Sequence, residues 1–236
     1  MLSVLLAAYC GERFIAEQIA SILPQMEGVD ELLVSDDSPQ GHTATRDIAL
    51  AFGDERIRHM QGPRRGVIKN VEFLLGQARG DILVLSDQDD VWLPGKLGRT
   101  RELLPADGPA LLAHSAIITD EALNETGERQ CAKPGLLRNL AKNSYTGCCM
   151  AFTRALLPYI LPFHEDIPMH DQWIGLRAET CGAVRVVDEA YILHRRHGNT
   201  QTGQGSTLGQ KIQWRWNMLK ALRRGRPPDV PGPIEF

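Results

Sequence analysis

The sequence of 236 residues lacks the features that mark several large classes of protein. No window approaches the ~18 apolar residues of a membrane-spanning helix. The five cysteines are odd in number and scattered, without the paired spacing of a zinc site or of a secreted disulfide framework. The formal net charge of −3 gives no reason to expect a nucleic-acid partner. These absences favour a soluble protein of a reducing, cytoplasmic compartment.

Glycine-rich phosphate loops are also missing. The first apolar run ends in Ala8-Tyr9-Cys10-Gly11, which matches neither the Gly-x-Gly-x-x-Gly of a dinucleotide site nor the Gly-x-x-x-x-Gly-Lys-Ser/Thr of a phosphate loop. Without a glycine cradle, a bound diphosphate needs another source of positive charge. A metal ion is the simplest source.

What is present is an alternation of buried strands and amphipathic helices. In the first half the pattern predicts strands at 3–8, 31–35, 56–60 and from 82, with helices at 12–23, 43–52 and 66–78. In the second half it predicts helices at 95–104, 153–161 and 168–180, strands at 111–119, 144–152, 183–187 and 191–194, and a long polar loop at 120–133. Parallel βαβ units follow from this order. We therefore expect a single α/β domain with a mostly parallel central sheet flanked by helices.

The most informative stretch is the apolar run from Ile82, which ends in Asp87, Asp89 and Asp90. Ligands of open α/β sheets bind at the carboxyl ends of strands, so the fold would deliver these acids to a crevice. Three like charges this close repel one another unless a cation or backbone donors compensate them. Hard divalent cations prefer such oxygen ligands. The alternative is that Asp89 or Asp90 caps a short turn and binds nothing.

Three further parts of the sequence contain residues suited to chemistry. Asp36 and Asp37 end the second strand, at the same predicted sheet edge as Asp87, Asp89 and Asp90. Asp171 starts a helix, where it is either an N-cap or a general base for an attacking hydroxyl. The segment His194-Arg195-Arg196-His197-Gly198-Asn199 contains two arginines and two histidines, which either bind phosphates or ligate the metal, or else end a strand in solvent.

Five short motifs resemble those of one enzyme family in their order and spacing. They are Ala8-Tyr9-Cys10-Gly11-Glu12, Asp36-Asp37-Ser38, Ser86-Asp87-Gln88-Asp89-Asp90-Val91-Trp92, Thr146-Gly147-Cys148 and His170-Asp171-Gln172-Trp173. Together they resemble glycosyltransferase family 2, and within it the bacterial rhamnosyltransferase-like branch. The resemblance implies a GT-A (Rossmann-like) fold over residues 1–203. We expect a basic amphipathic helix and tail over 204–236 from the residues of that segment.

The resemblance also implies an activity and its residues. The enzyme would be an inverting, metal-dependent glycosyltransferase (EC 2.4) of cell-surface polysaccharide synthesis. It would move a sugar, L-rhamnose by the branch likeness, from a dTDP- or UDP-sugar to a glycan or lipid-linked acceptor. Asp171 would be the catalytic base, and Asp89 and His197 would hold Mn²⁺ or Mg²⁺. Nucleotide and donor contacts fall to Ala8, Tyr9, Glu12, Asp36, Asp37, Lys69, Asn70, Asp87, Gln88, Gly147 and Cys148, with Arg196 added as a phosphate-binding cation.

The basic segment from Lys211 to Arg226 contains six Lys and Arg residues and no acid. Ile212, Trp216 and Leu219 share one helical face. This pattern is typical of a helix on the anionic, cytoplasmic surface of the inner membrane, and equally of a helix that packs its tryptophans on the domain. Rival functions are a sugar-phosphate nucleotidyltransferase and a non-catalytic nucleotide-sugar-binding module.

Overall fold

The computed structural model describes residues 1–104, 107–197 and 207–224. The predicted tail from residue 225 lies outside the described residues, as do 198–206. The first half forms four parallel strands in the spatial order β3-β2-β1-β4, connected by three helices. Their bounds are β1 Leu2–Ala8, α1 Ile15–Ile22, β2 Glu31–Asp36, α2 Ala44–Ala51, β3 Ile57–Gln61, α3 Val67–Gln77 and β4 Ile82–Asp87.

The second half extends the same sheet. The full order is β3-β2-β1-β4-β8-β6-β9-β5, with β7 paired to β6. Its elements are β5 Val91–Trp92, α4 Lys96–Leu103, β6 Ala110–Thr119, β7 Glu125–Gln130, α5 Leu136–Ala141, β8 Met150–Thr153, α6 Leu157–Ile160, α7 His170–Cys181, β9 Ala183–Arg195 and α8 Leu208–Arg224.

The sheet is mixed, whereas the alternation of strands and helices predicted a mostly parallel one. β8 lies between β4 and β6 and is antiparallel to both. β5 and β7 are also antiparallel to their neighbours β9 and β6. Apolar runs indicate burial but not chain direction, so the prediction of parallel pairing holds only for the half of the chain in which each strand is followed by a helix. The α/β single-domain class itself is confirmed.

Three local predictions were also wrong. The polar loop predicted at 120–133 contains β7, whose side chains are mostly exposed and therefore show no apolar pattern. The strand predicted at 144–152 is a 3-10 turn, Gly147–Cys149, followed by the shorter β8. The two strands predicted at 183–187 and 191–194 are one strand, β9.

Alternating side chains of the strands fill a core on each face of the sheet. Leu5 of β1 packs with Leu74 of α3 and Trp173 of α7 on one face, while Val4 packs with Ile19 of α1 on the other. Because β1, β2 and β4 are buried on both faces, their apolar runs are nearly continuous. The polar residues that follow are the first ones free to reach a ligand.

Candidate active site

The carboxyl ends of the parallel strands meet at one edge of the sheet. The register pairs Ala8 at the end of β1 with Asp36 at the end of β2, and Ala7 with Asp87 at the end of β4. Both acid clusters therefore lie beside the loop that follows β1. This is the edge at which open α/β sheets bind their ligands.

Gln88 joins that loop to the acid stretch. Its Oε1 accepts a hydrogen bond from Tyr9 N (2.8 Å), and its Nε2 donates to Tyr9 O (3.1 Å). A Cβ on Gly11 would lie 2.3 Å from the same Oε1, so glycine leaves room for the amide. The Tyr9 ring is exposed at this edge, and Glu12 is exposed beyond it, 3.5 Å from His42.

Asp36 and Asp37 have different hydrogen-bond partners. Asp36 Oδ1 accepts from the backbone N–H of Ser38 (3.0 Å) and from its hydroxyl. Asp37 accepts from the backbone N–H of Arg64 and, at 2.9 Å, from that of Gly66, the residue before α3. The Asp37 carboxylate therefore holds the loop that leads into α3.

Two of the other residues predicted at the nucleotide have partners inside the protein. Asn70 is buried, accepts from the Ser35 hydroxyl (2.5 Å) and donates to Ser35 O (3.0 Å). Lys69 Nζ pairs with the Glu72 carboxylate at 2.6 Å. Asn70 thus ties α3 to β2, while Ala8 lies buried at the end of β1.

The acids after β4 are crowded enough to shift their ionisation. Burial, followed by the charges of Asp90 and Asp89, raises the pKa of Asp87 to about 7. Burial and the Asp90 charge also raise the pKa of Asp89. A divalent cation would relieve this repulsion and return the carboxylates to their ionised form.

Asp89 lies against His197, which comes just after β9. Asp89 Oδ2 and His197 Nε2 are 2.7 Å apart, although 108 positions separate the residues in sequence. The histidine ring also packs on Phe14, with 5.2 Å between ring centroids. A carboxylate and an imidazole are suitable ligands for a divalent transition metal such as Mn²⁺, so the donor set fits the metal that the family resemblance implies.

Arg195 holds this pair in place. Its Nε donates to Asp89 O (2.9 Å), and its backbone N–H donates to Asp90 Oδ1 (3.2 Å). The guanidinium also bonds the Glu17 carboxylate and lies 4.6 Å from the centroid of the Phe14 ring. Arg195 is buried, so it works as a positioning residue that fixes the acid stretch to α1 and β9.

Asp90 is the fully buried member of the acid stretch. His194 Nδ1 lies 2.9 Å from Asp90 Oδ1. Burial opposes both charges, but this hydrogen bond lowers the pKa of Asp90 and raises that of His194 to about 9. Cys148 Sγ is 3.7 Å from the same Nδ1, and one ligand atom from each of the three residues lies within 4.8 Å of the others. Asp90 Oδ2 has no hydrogen-bond partner in the described part of the chain.

Asp171 lies in the first turn of α7 and is only 8% exposed. Burial raises its pKa to about 6, against hydrogen bonds from Gln172 N (2.6 Å) and Asn143 Nδ2 (3.2 Å). Both bonds go to Oδ1. Its charge is close enough to contribute to the raised pKa of Asp87. A carboxylate with this pKa is a suitable general base near neutral pH.

Gly147 and Cys148 lie in the 3-10 turn before β8, between α4 and α7. Lys96 Nζ of α4 donates to Cys148 O (2.7 Å). A Cβ on Gly147 would lie 3.0 Å from Nε2 of His170 in α7. The Cys148 side chain is fully buried beside His194.

Arg196 is held by the strands next to it. Its backbone N–H donates to Thr119 O (2.9 Å), and its Nη2 lies 3.3 Å from Gln130 Oε1. The Gln130 amide also donates to the Thr146 hydroxyl, beside Gly147. β7 therefore connects Arg196 to the turn at Gly147.

Sequence reasoning missed several residues that build the site. Asn143 belongs to no motif, and nothing in its neighbourhood signals a contact with Asp171. Arg195 lay in the segment 194–199 that was singled out, but only the strand alternation could have shown that it points inward. Asp90 and His194 were both noticed as polar residues, yet their contact depends on the pairing of β5 with β9.

The fold and this site define a class of protein. An acid stretch at the end of β4, a histidine after β9 and a buried carboxylate at the start of α7, on a mixed α/β sheet of this order, are the arrangement of a GT-A fold. The sequence matches the model of the family described as glycosyl transferase family 2 over residues 3–161. The chain belongs to that family.

The chain is also similar to a curated glycosyltransferase and to two solved structures. The chain is 23% identical, over 93% of its length and 85% of the relative's, to the UDP-Glc:alpha-D-GlcNAc-diphosphoundecaprenol beta-1,3-glucosyltransferase WfgD of Escherichia coli. TarS residues 1–349 of S. aureus in complex with UDP-GlcNAc superpose with a TM-score of 0.66 and 18% identity, over 87% of this chain and 61% of that one.

The second structure is glucosyl-3-phosphoglycerate synthase of Mycobacterium tuberculosis with Mn²⁺, UDP and glucosyl-3-phosphoglycerate. It has a TM-score of 0.60 and 24% identity, over 94% of this chain and 80% of that one. At these identities both structures support the fold.

Proposed function

We propose that the protein is an inverting glycosyltransferase that moves a sugar from a nucleotide-diphosphate sugar to an acceptor hydroxyl. The proposal rests on the environment of Asp171. Its carboxylate is buried, its pKa is raised to about 6, and it lies near the acid stretch on a different element of the fold. A binding module has no need for a base tuned in this way.

The residues of the chain divide the reaction between them. Asp171 takes the proton of the acceptor hydroxyl as its oxygen attacks the anomeric carbon from the face opposite the leaving diphosphate. This single displacement inverts the anomeric configuration. Asp36 and the loop at Tyr9 bind the nucleoside, and Asp87 lies at the donor sugar. Arg196 carries positive charge on the diphosphate side of the site.

Asp89 and His197 would hold the Mn²⁺ or Mg²⁺ ion, which when bound supplies positive charge for the departing diphosphate. The described contacts of Arg195 keep Asp89 in position for this role. Asp90 supports the same loop through His194.

A UDP-sugar is the donor that we propose first. The E. coli relative is named for UDP-glucose, the TarS structure contains UDP-GlcNAc, and the synthase structure contains UDP. The sequence motifs resemble the rhamnosyltransferase-like branch, so dTDP-L-rhamnose is the donor to compare with it.

The acceptor that we propose is a lipid-linked glycan of cell-surface polysaccharide synthesis. The E. coli relative is named for a diphosphoundecaprenol-linked acceptor, and the match covers 85% of its length. Such an acceptor would place the enzyme at the cytoplasmic face of the inner membrane.

The test is a transfer assay with the purified full chain. Radiolabelled UDP-glucose, UDP-GlcNAc and dTDP-rhamnose are each incubated with Mn²⁺ and a polyprenyl-diphosphate-linked sugar, and label in the organic phase is counted. We expect transfer from one UDP-sugar by the wild type and none above background by Asp171→Asn, which should still bind UDP.

Two outcomes would overturn the proposal. Transfer by Asp171→Asn at the wild-type rate would show that the Asp171 carboxylate is not the catalytic base. Release of pyrophosphate from a nucleoside triphosphate and a sugar 1-phosphate, without any glycosyl transfer, would identify a nucleotidyltransferase instead.

A further inference from the structure

Helix α8 packs on the domain through one apolar stripe. Met218 and Ala221 are buried in the same core as residues of α6 and α7. Arg215 fixes the helix to α5, because its Nε and Nη2 donate to Ala141 O at 3.0 and 2.7 Å. The helix therefore packs on the domain through these residues and not, as predicted, through its tryptophans, since Trp214 and Trp216 are 41% and 52% exposed.

A second apolar stripe on the same helix is not explained by that packing. Ile212, Trp216 and Leu219 are spaced i, i+4 and i+7, which places them on one face, turned away from Met218 and Ala221. Ile212 is 57% exposed and Trp216 is 52% exposed. Among the described helices none has both the length and the apolar character to cross a bilayer. The stripe therefore suits contact with a surface rather than insertion across it.

The charges around the stripe select the kind of surface. The α8 sequence from Leu208 to Arg224 holds five Lys and Arg residues and no Asp or Glu. Lys220 and Arg223 follow the stripe on the same side of the helix, and Lys220 Nζ lies 5.7 Å from the centroid of the Trp216 ring. Tryptophan beside lysine and arginine, on a helix without acids, is the composition that binds anionic lipid headgroups.

The helix is also close to the catalytic base through a short series of contacts. Arg215 bonds Ala141 at the end of α5. Asn139 O of α5 accepts from the side chain of Gln172 (2.7 Å), the residue after Asp171. Asn143, two residues beyond α5, donates to Asp171 itself. A surface that binds α8 would therefore lie on the side of the domain that carries the base.

We propose that the exposed stripe of Ile212, Trp216 and Leu219, with Lys220 and Arg223, docks the enzyme on a membrane that contains anionic phospholipid. This deepens the proposed function, since it supplies the surface from which a lipid-linked acceptor reaches Asp171. Docking itself does not depend on glycosyl transfer and is measured separately.

The experiment is co-sedimentation of the full chain with vesicles of phosphatidylcholine alone or of phosphatidylcholine and phosphatidylglycerol in equal parts. We expect binding to the anionic vesicles that weakens with added salt. Reversing two cations with Lys220→Glu and Arg223→Glu should weaken it by about tenfold or more. The matched control is Arg79→Glu with Arg185→Glu, which changes the net charge equally on exposed side chains outside α8.

The apolar part is tested in the same assay. Ile212→Ala with Trp216→Ala should also reduce binding, whereas Leu50→Ala, which removes a side chain of α2 with 52% exposure, should not. Equal binding to neutral and anionic vesicles, or no loss in either α8 variant, would overturn the proposal. So would a dimer of the wild type in sedimentation velocity that becomes a monomer on loss of the stripe, because the partner would then be a second copy.

Calorimetric binding of UDP distinguishes this failure from failure of the proposed function. The α8 variants should bind UDP with wild-type affinity, since no described contact places their side chains at the nucleotide edge. If an α8 variant loses vesicle binding but still binds UDP, the substitution has affected the docking surface and not the nucleotide site.

Discussion

Replacing Asp171 with asparagine should remove transfer without removing stability. The substitution keeps the size of the side chain and an acceptor for the Gln172 and Asn143 bonds, but it removes the basic carboxylate. Loss of a general base typically lowers the rate by about 10²- to 10⁴-fold. We therefore expect kcat to fall in that range while UDP affinity stays within about twofold.

The effect on stability follows from the pKa of the group. Burial raises the pKa of Asp171 from 3.8 to about 6. At about 1.4 kcal/mol for each unit, ionising it in the folded protein costs about 3 kcal/mol. A carboxyl group with a raised pKa stabilises the fold when protonated, and this contribution is lost as pH rises from about 4 through about 6. The asparagine variant avoids the loss, so its stability relative to the wild type should increase between pH 4.5 and pH 8, to an advantage of at most about 3 kcal/mol.

The assay is chemical unfolding of both proteins at pH 4.5, 6 and 8, together with transfer rates at pH 8. Asp166→Asn is the matched control, because Asp166 is exposed and precedes the same helix. It should change neither quantity. A wild-type rate in Asp171→Asn, or a stability difference between variant and wild type that does not grow as pH rises, would refute the assignment of a buried, ionised base.

Two further substitutions test how the site is held. Asn143→Ala removes a hydrogen bond that lowers the pKa of Asp171, so the acid limb of the pH–rate profile should move to higher pH; a limb that stays in place would contradict this contact. Gly11→Ala places a Cβ against Gln88 Oε1 and should weaken UDP binding by about tenfold, as loss of one or two hydrogen bonds does. Gly76→Ala, in α3 with open space around it, is the control that should bind normally; equal affinity in both variants would mean that the Gln88 bridge is unimportant.

The sequence predicted the first half of the fold, in which the strands are buried on both faces of the sheet. The runs that became β1, β2 and β4 are nearly continuous in apolar residues and are followed by polar ones, so both the strands and the acid edge followed from composition. β7 could not be found in this way, since its residues are mostly exposed. The place of β8 between β4 and β6 depends on tertiary pairing, which leaves no periodicity in a strand of four residues.

The residues of the site likewise divide into those that the sequence predicted and those that it did not. Asp89 and His197 were predicted as a pair from the family resemblance, and the structure brings them to 2.7 Å. Arg195 and Asn143 were missed because their partners are distant in sequence or lie in no motif. For α8 the sequence left packing and membrane contact as alternatives. The structure shows that packing uses only one side of the helix, which leaves the other stripe for a partner.

The most direct test of the account is calorimetric titration of the wild type and of Asp89→Asn with UDP, dTDP and GDP, each with and without Mn²⁺. We predict that the wild type binds UDP, that Mn²⁺ increases the affinity by tenfold or more, and that Asp89→Asn loses this increase. Binding of UDP with equal affinity in the presence and absence of Mn²⁺, or an unchanged metal effect in the variant, would contradict the assignment of Asp89 and His197 as the metal ligands of a nucleotide-sugar glycosyltransferase.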